Sequence, residues 1–184
     1  MDLPKSERHI IDVRDVQRSV FCLLNLSAGF SSLLEDDVFG QHVKECESSK
    51  LFSKYSELFE VEATSLLLKI AINCRVLDDQ LVQNNTAIEI EDFVGEEVLG
   101  DIEVGINGEY STTKLTLREC FNKIIHATHI EHDIRPGGGA NGFHYMPEVH
   151  LLGSQGKKKW STSVYLLPFC HVVFELLEAC MPNK

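Results

Sequence analysis

The chain has 184 residues, of which 43% are hydrophobic, so it is long enough to bury one ordinary core, and we expect residues 1–184 to form a single globular domain. Seventeen Lys and Arg stand against 28 Asp and Glu, a formal net charge of −11. This balance opposes tight, nonspecific binding of nucleic acid, which needs clustered cations. No apolar run reaches the ~18 residues of a membrane helix, and six scattered cysteines without a CxxC pair indicate a reduced, cytoplasmic protein.

Two long helices are predicted in the first half of the chain. Apolar residues recur at helical spacing from about residue 10 to 35, and again over residues 63–81. The polar segment 45–54 is typical of a connection, and its moderate length favours an antiparallel pair of helices. We expect Asp78 and Asp79 on or near the solvated side of the second helix.

The middle of the chain, residues 84–114, has an ambiguous pattern. Residues 87–91 and 102–106 alternate between apolar and polar side chains as strands do. Asn107-Gly108 is a strong signal for a hairpin turn.

A helix beginning at Leu117 is the most sharply predicted element. Thr116 and Glu119 fit a capping box, in which the hydroxyl and the carboxylate each bind a free backbone N–H. Cys120 lies on the apolar side of this helix, so we expect it to be buried and unreactive.

The last third of the chain predicts a loop, a hairpin and a closing helix. Residues 135–142 are rich in glycine and predict a loop, whereas 149–152 and 160–166 predict the two strands of a hairpin. Pro168 suits the first position of the closing helix. Its core face would comprise Phe169, Val172, Val173, Leu176 and Cys180.

These elements together predict an α+β fold that is mainly helical. Two long antiparallel helices and the capped third helix would form the core, followed by a small β-hairpin and a C-terminal helix.

The candidate catalytic residues Arg118, Asn122 and His126 all lie on the capped helix. Asn122 and His126 are four residues apart, so they are neighbours one turn apart. An imidazole can transfer a proton, and a guanidinium can stabilise charge developing on a phosphate, so this combination suits phosphodiester chemistry.

The run from Arg118 to His126 resembles the catalytic helix of the HEPN family, in which an Arg and a downstream His share a helix. The resemblance covers this helix, with two long preceding helices as looser support. It implies a bacterial conflict or stress-response protein that acts as a metal-independent ribonuclease, with RNA as substrate and a site formed across a homodimer. Arg118 and His126 are about 12 Å apart along the helix axis, so a second subunit would have to bring them to one substrate.

Two other interpretations stay open. The three side chains could be structural, with Arg118 paired to an acidic residue of a neighbouring helix. In that case the net charge of −11 favours a non-enzymatic binding protein, such as an immunity-like or antitoxin-like inhibitor of a basic partner.

Histidines suggest a metal site only weakly. Five of the eight fall within a short span, but no HExxH or cysteine ligand set is present, so we expect no bound metal and no cofactor. The five are His126, His129, His132, His144 and His150.

Overall fold

The computed structural model describes residues 11–35, 50–84, 86, 88–93, 98–106, 109–136 and 143–181. Four helices are described, along with a short 3₁₀ helix at Ile90–Phe93 and five strands. The helices are α1 (Val13–Glu35), α2 (Lys50–Gln83), α3 (Leu117–His126) and α4 (Leu166–Ala179). The strands are β1 (Gly100–Ile106), β2 (Glu109–Lys114), β3 (His129–Pro136), β4 (Phe143–Gln155) and β5 (Lys158–Tyr165).

The two long helices pack against each other in opposite directions. The Phe30 ring stacks on Phe59 with their centroids 4.0 Å apart, whereas Asp15, near the start of α1, pairs with Lys69, further along α2. The first predicted helix is confirmed. The second begins at Lys50, so our assignment of residues 50–54 to a connection is wrong. The start of α2 carries apolar residues at helical spacing, Phe52, Tyr55 and Phe59, and this signal was overlooked among the polar residues between them.

The five strands form one antiparallel sheet in the order β2-β1-β5-β4-β3. The prediction of a small hairpin is therefore wrong in extent, although both of its strands are present. Strand β3 was missed because its charged and histidine side chains show no apolar alternation. Residues 102–106 are a strand as predicted, but Ile90 and Glu91 belong to the 3₁₀ helix, so the strand prediction is wrong there. The turn at Asn107-Gly108 lies outside the described residues.

One face of the sheet packs on the helices. Side chains on this inner face, such as Val149, Leu151 and Val164, are fully buried. Trp160 also lies here, with its ring against Gly153 and the Lys123 ammonium 4.5 Å from the ring centroid. Trp160 is therefore buried between strand and helix.

The C-terminal helix begins earlier than the sequence predicts, but it buries the predicted core face. It begins at Leu166, two residues before Pro168, and the predicted core residues Phe169 to Leu176 are buried, whereas Cys180 is half-buried at the helix end. Arg135 and Pro136 belong to β3, so the predicted loop does not include them; residues 137–142 lie outside the described part of the chain. Within the described residues, no helix is long and apolar enough to cross a membrane.

Candidate functional site

Helix α3 begins where the sequence predicts. Thr116 Oγ1 accepts a hydrogen bond from the Glu119 backbone N–H at 3.2 Å, and the Glu119 carboxylate accepts one from the Thr116 N–H at 3.3 Å. A second cap comes from the 3₁₀ helix, where the two oxygens of Glu91 accept the backbone N–H groups of Leu117 and Arg118 at 3.0 and 3.1 Å. Carboxylates at a helix N-terminus also interact favourably with the helix dipole, so this end of α3 is fixed from two directions.

Arg118 is held by two carboxylates of α2. Its guanidinium lies 2.9 Å from Asp78 and 3.3 Å from Asp79. Arg75 pairs with the same two carboxylates and donates from Nε to Asn122 Oδ1 at 3.1 Å. The structure thus joins two of the three candidate residues, Arg118 and Asn122, in one network that connects α2 to α3.

Burial of Asp78 makes this network structural in character. The Asp78 side chain is only 4% exposed, which raises its pKa by desolvation, while Arg118 and Arg75 act in the opposite direction. Our expectation that Asp78 lies on the solvated side of α2 is wrong, because α3 covers it. A guanidinium already bound to two carboxylates has little positive potential left for a phosphate.

His126 lies apart from the network. It is the last residue of α3, its side chain is exposed, and in the described part of the chain it makes no hydrogen bond or ion pair. Sequence reasoning missed the importance of Arg75, although its three- and four-residue spacing to Asp78 and Asp79 on a helix was a usable signal.

Four of the five histidines have described side chains, and these four do not form one cluster. His129 is exposed beside Glu131, whereas His132 is buried and contacts Thr64 through Nε2 at 3.1 Å. His150 lies on β4 beside Asp133. The side chain of His144 lies outside the described residues.

In the described part of the chain no helix covers the second face of the sheet, and this face is rich in carboxylates. Cross-strand pairing places Asp101, Ser163, His150 and Glu131 in one row, and Glu103, Ser161, Leu152 and His129 in the next. Asp101, Glu103 and Glu131 are exposed. We call this surface the outer face; it comprises the two rows together with Met146, Glu148 and Asp133.

Apolar groups interrupt the acidic surface. Leu152 and Met146 are 46% and 41% exposed on the outer face. Burial raises the pKa of Glu60 on α2, and the nearby Glu131 carboxylate raises it further. The negative surface therefore continues around the β3 edge of the sheet onto α2. Lysines border it, with Lys114 opposite Asp101 and Lys159 opposite Gly105.

No protein-family model, no curated protein and no solved structure matches this chain significantly.

Proposed function

We propose that this protein is a non-enzymatic binding protein of the cytoplasm that uses its outer face to hold a basic protein partner. The observation that carries this proposal is the group of exposed carboxylates of Asp101, Glu103 and Glu131, in two adjacent rows of a sheet face that the described helices leave open. An acidic surface of this kind attracts a positively charged partner and speeds its association.

The mixture of side chains on the outer face also fits a protein partner better than a small cation or a polyamine. Leu152 and Met146 offer apolar surface between the carboxylates. Protein interfaces combine an apolar centre with a polar rim, and exposed apolar groups on a monomer mark such sites. An inhibitor of a basic toxin or nuclease belongs to this class of protein.

Charge reversal tests the proposal. The tagged protein is used to capture partners from its source cells at low salt and at about 0.3 M salt, where screening shortens the range of electrostatic attraction. We expect capture of a basic protein that is lost at high salt and lost in the variant Glu103→Lys/Glu131→Lys.

The matched control carries the same charge change away from the outer face. Glu62 on α2 and Glu175 on α4 are both exposed, so Glu62→Lys/Glu175→Lys alters the net charge by the same amount. This variant is expected to retain the partner. Equal loss from both double variants would mean that net charge alone governs capture, and the proposal would fail.

A dimeric HEPN-like ribonuclease is the second candidate function. It is favoured by the exposed imidazole of His126, which makes no ion pair or hydrogen bond with the described residues and lies one turn from Asn122 on α3. A homodimer that places two such helices together would supply two proton-transfer groups at one phosphodiester.

RNA cleavage in the presence of a chelator separates the two functions. The ribonuclease requires that wild type cleaves and that His126→Ala abolishes cleavage without lowering the melting temperature, because the imidazole is exposed. Asn122→Ala should weaken cleavage as well. Arg118→Ala should instead lower stability by removing a partner from buried Asp78. Absence of cleavage by the wild-type dimer, or full activity of His126→Ala, would eliminate this candidate.

A further inference from the structure

Asp133, Glu148 and His150 converge on the outer face. Each offers one ligand atom, and these three atoms lie within 4.8 Å of one another. His150 Nε2 is 3.7 Å from Asp133 Oδ2. Donor atoms around a zinc ion are separated by about 3.4 Å, given bonds of ~2.1 Å and a tetrahedral arrangement. To share one ion, His150 Nε2 and Asp133 Oδ2 would have to approach by about 0.3 Å, and the most distant pair of the three by at most about 1.4 Å.

The pairing of the strands brings these residues together. Glu131 pairs with His150, so Asp133, two residues further along β3, lies on the same face and diagonally across from His150. The register then shifts between His132 and Ile134, where Asp133 alone lies opposite the three β4 residues 146–148. The extra residues of this bulge are therefore on β4, beside the Asp133 carboxylate.

The Asp133 carboxylate is buried and incompletely satisfied. The residue is 7% exposed, and its Oδ2 atom is buried without accepting a hydrogen bond of good geometry. Arg135 supplies its neighbouring positive charge, with Nε donating to Oδ1 at 2.7 Å and Nη2 lying 2.5 Å from Oδ2. The Arg135 side chain is 55% exposed, so it can move into solvent if another cation enters.

Ser163 fixes the orientation of the imidazole. His150 Nδ1 lies 2.8 Å from Ser163 Oγ on the neighbouring strand. With its proton on Nδ1, the ring donates to this hydroxyl and keeps the Nε2 lone pair available beside Asp133, 3.7 Å away. Glu148 Oε1 lies 3.8 Å from Nδ1, so its side chain has to rotate to join Asp133 at Nε2. Such a hydrogen bond on the second ring nitrogen is the usual support of a metal-binding histidine.

We propose that Asp133, Glu148 and His150 bind one divalent transition-metal ion, with Arg135 as the cation that it displaces. One imidazole and two carboxylates suit Zn²⁺ or Mn²⁺. The three protein ligands leave further coordination positions for water or for a group of a bound partner. Of the five histidines named in the sequence analysis, only His150 belongs to this ligand set.

Isothermal titration of the chelator-stripped full chain with Zn²⁺ tests the proposal. Wild type is expected to bind one ion, and His150→Ala to weaken binding by at least about tenfold. His129→Ala is the matched control, because His129 is an exposed histidine of the same face whose loss should leave the affinity unchanged. Substitution with Co²⁺ gives an independent readout, since its visible absorption should disappear in His150→Ala.

Arg135→Gln distinguishes a metal site from a purely structural ion pair. If Arg135 competes with the metal, its removal should tighten Zn²⁺ binding by about threefold or more, since a nearby like charge is lost. If the Asp133–Arg135 pair is only structural, Arg135→Gln lowers the melting temperature and neither protein binds Zn²⁺. No binding by wild type or Arg135→Gln, or equal binding by His150→Ala, would overturn the proposal.

Discussion

The buried histidine of β3 gives this fold a specific dependence on pH. His132 is 3% exposed, its ring edge faces Phe59 with centroids 5.3 Å apart, and its Nδ1 atom has no hydrogen-bond partner in the described structure. Desolvation lowers the pKa of His132 from 6.5 to about 4. Thr64 on α2 contacts His132 through a neutral hydroxyl, so it supplies no negative charge that would stabilise the protonated imidazole.

Because the pKa of His132 is lowered in the folded protein, protonation of this residue destabilises the fold. The folded protein holds the neutral imidazole, so this contribution to stability is fully present above pH 6.5 and is lost as pH falls through 4. Between pH 8 and pH 5 the free energy of unfolding should fall by about 2 kcal/mol from this group alone, approaching about 3 kcal/mol at lower pH.

Urea denaturation at several pH values measures this change. His132→Phe keeps a ring beside Phe59 and removes the titration, so its stability should fall less than that of wild type between pH 8 and 5. His132→Phe should also be about 1 kcal/mol less stable than wild type at pH 8, because the Thr64 hydroxyl loses its partner. This offset is the same at both pH values, so it does not affect the comparison. His129→Gln, at an exposed position of the same strand, is the control and should follow wild type. Parallel pH profiles for wild type and His132→Phe would refute the reasoning.

Three further predictions concern local contacts. Thr116→Ala should lower the free energy of unfolding by about 1 kcal/mol through loss of the α3 cap, and an unchanged urea midpoint would contradict this. Gly153→Ala should destabilise by about 1–3 kcal/mol, because the new Cβ would lie 2.0 Å from the Trp160 ring; unaltered fluorescence of this single tryptophan and an unchanged midpoint would disprove it. Exposed Cys22 should react with a disulfide reagent in the native protein, whereas Cys120, whose thiol pKa is raised by burial, should react only after unfolding.

Local signals explain what the sequence predicted well. The start of α3 depends on Thr116 and Glu119, which are three residues apart, so the capping box can be found without knowledge of the fold. The buried positions of α1 and α4 follow from helical spacing in the same way. Burial of Cys120 required only its phase on α3.

Features that depend on distant residues could not be predicted. The pairing of Arg118 with Asp78 needs α3 to lie against the last turns of α2, 40 residues earlier in the chain. Strand β3 is defined by its hydrogen bonds to β4, since its own side chains have no strand-like pattern. The approach of Asp133 to His150 depends on the register of β3 against β4, which a single sequence does not reveal.

Carboxylate footprinting of the protein with its captured partner tests the central claim most directly. Carbodiimide coupling followed by peptide mass spectrometry measures the accessibility of each Asp and Glu in the free and bound protein. The account predicts that labelling of Asp101, Glu103 and Glu131 falls on binding, whereas labelling of Glu62 and Glu175 stays the same. Unchanged labelling of the outer face, with protection of the α2 or α4 carboxylates, would contradict it.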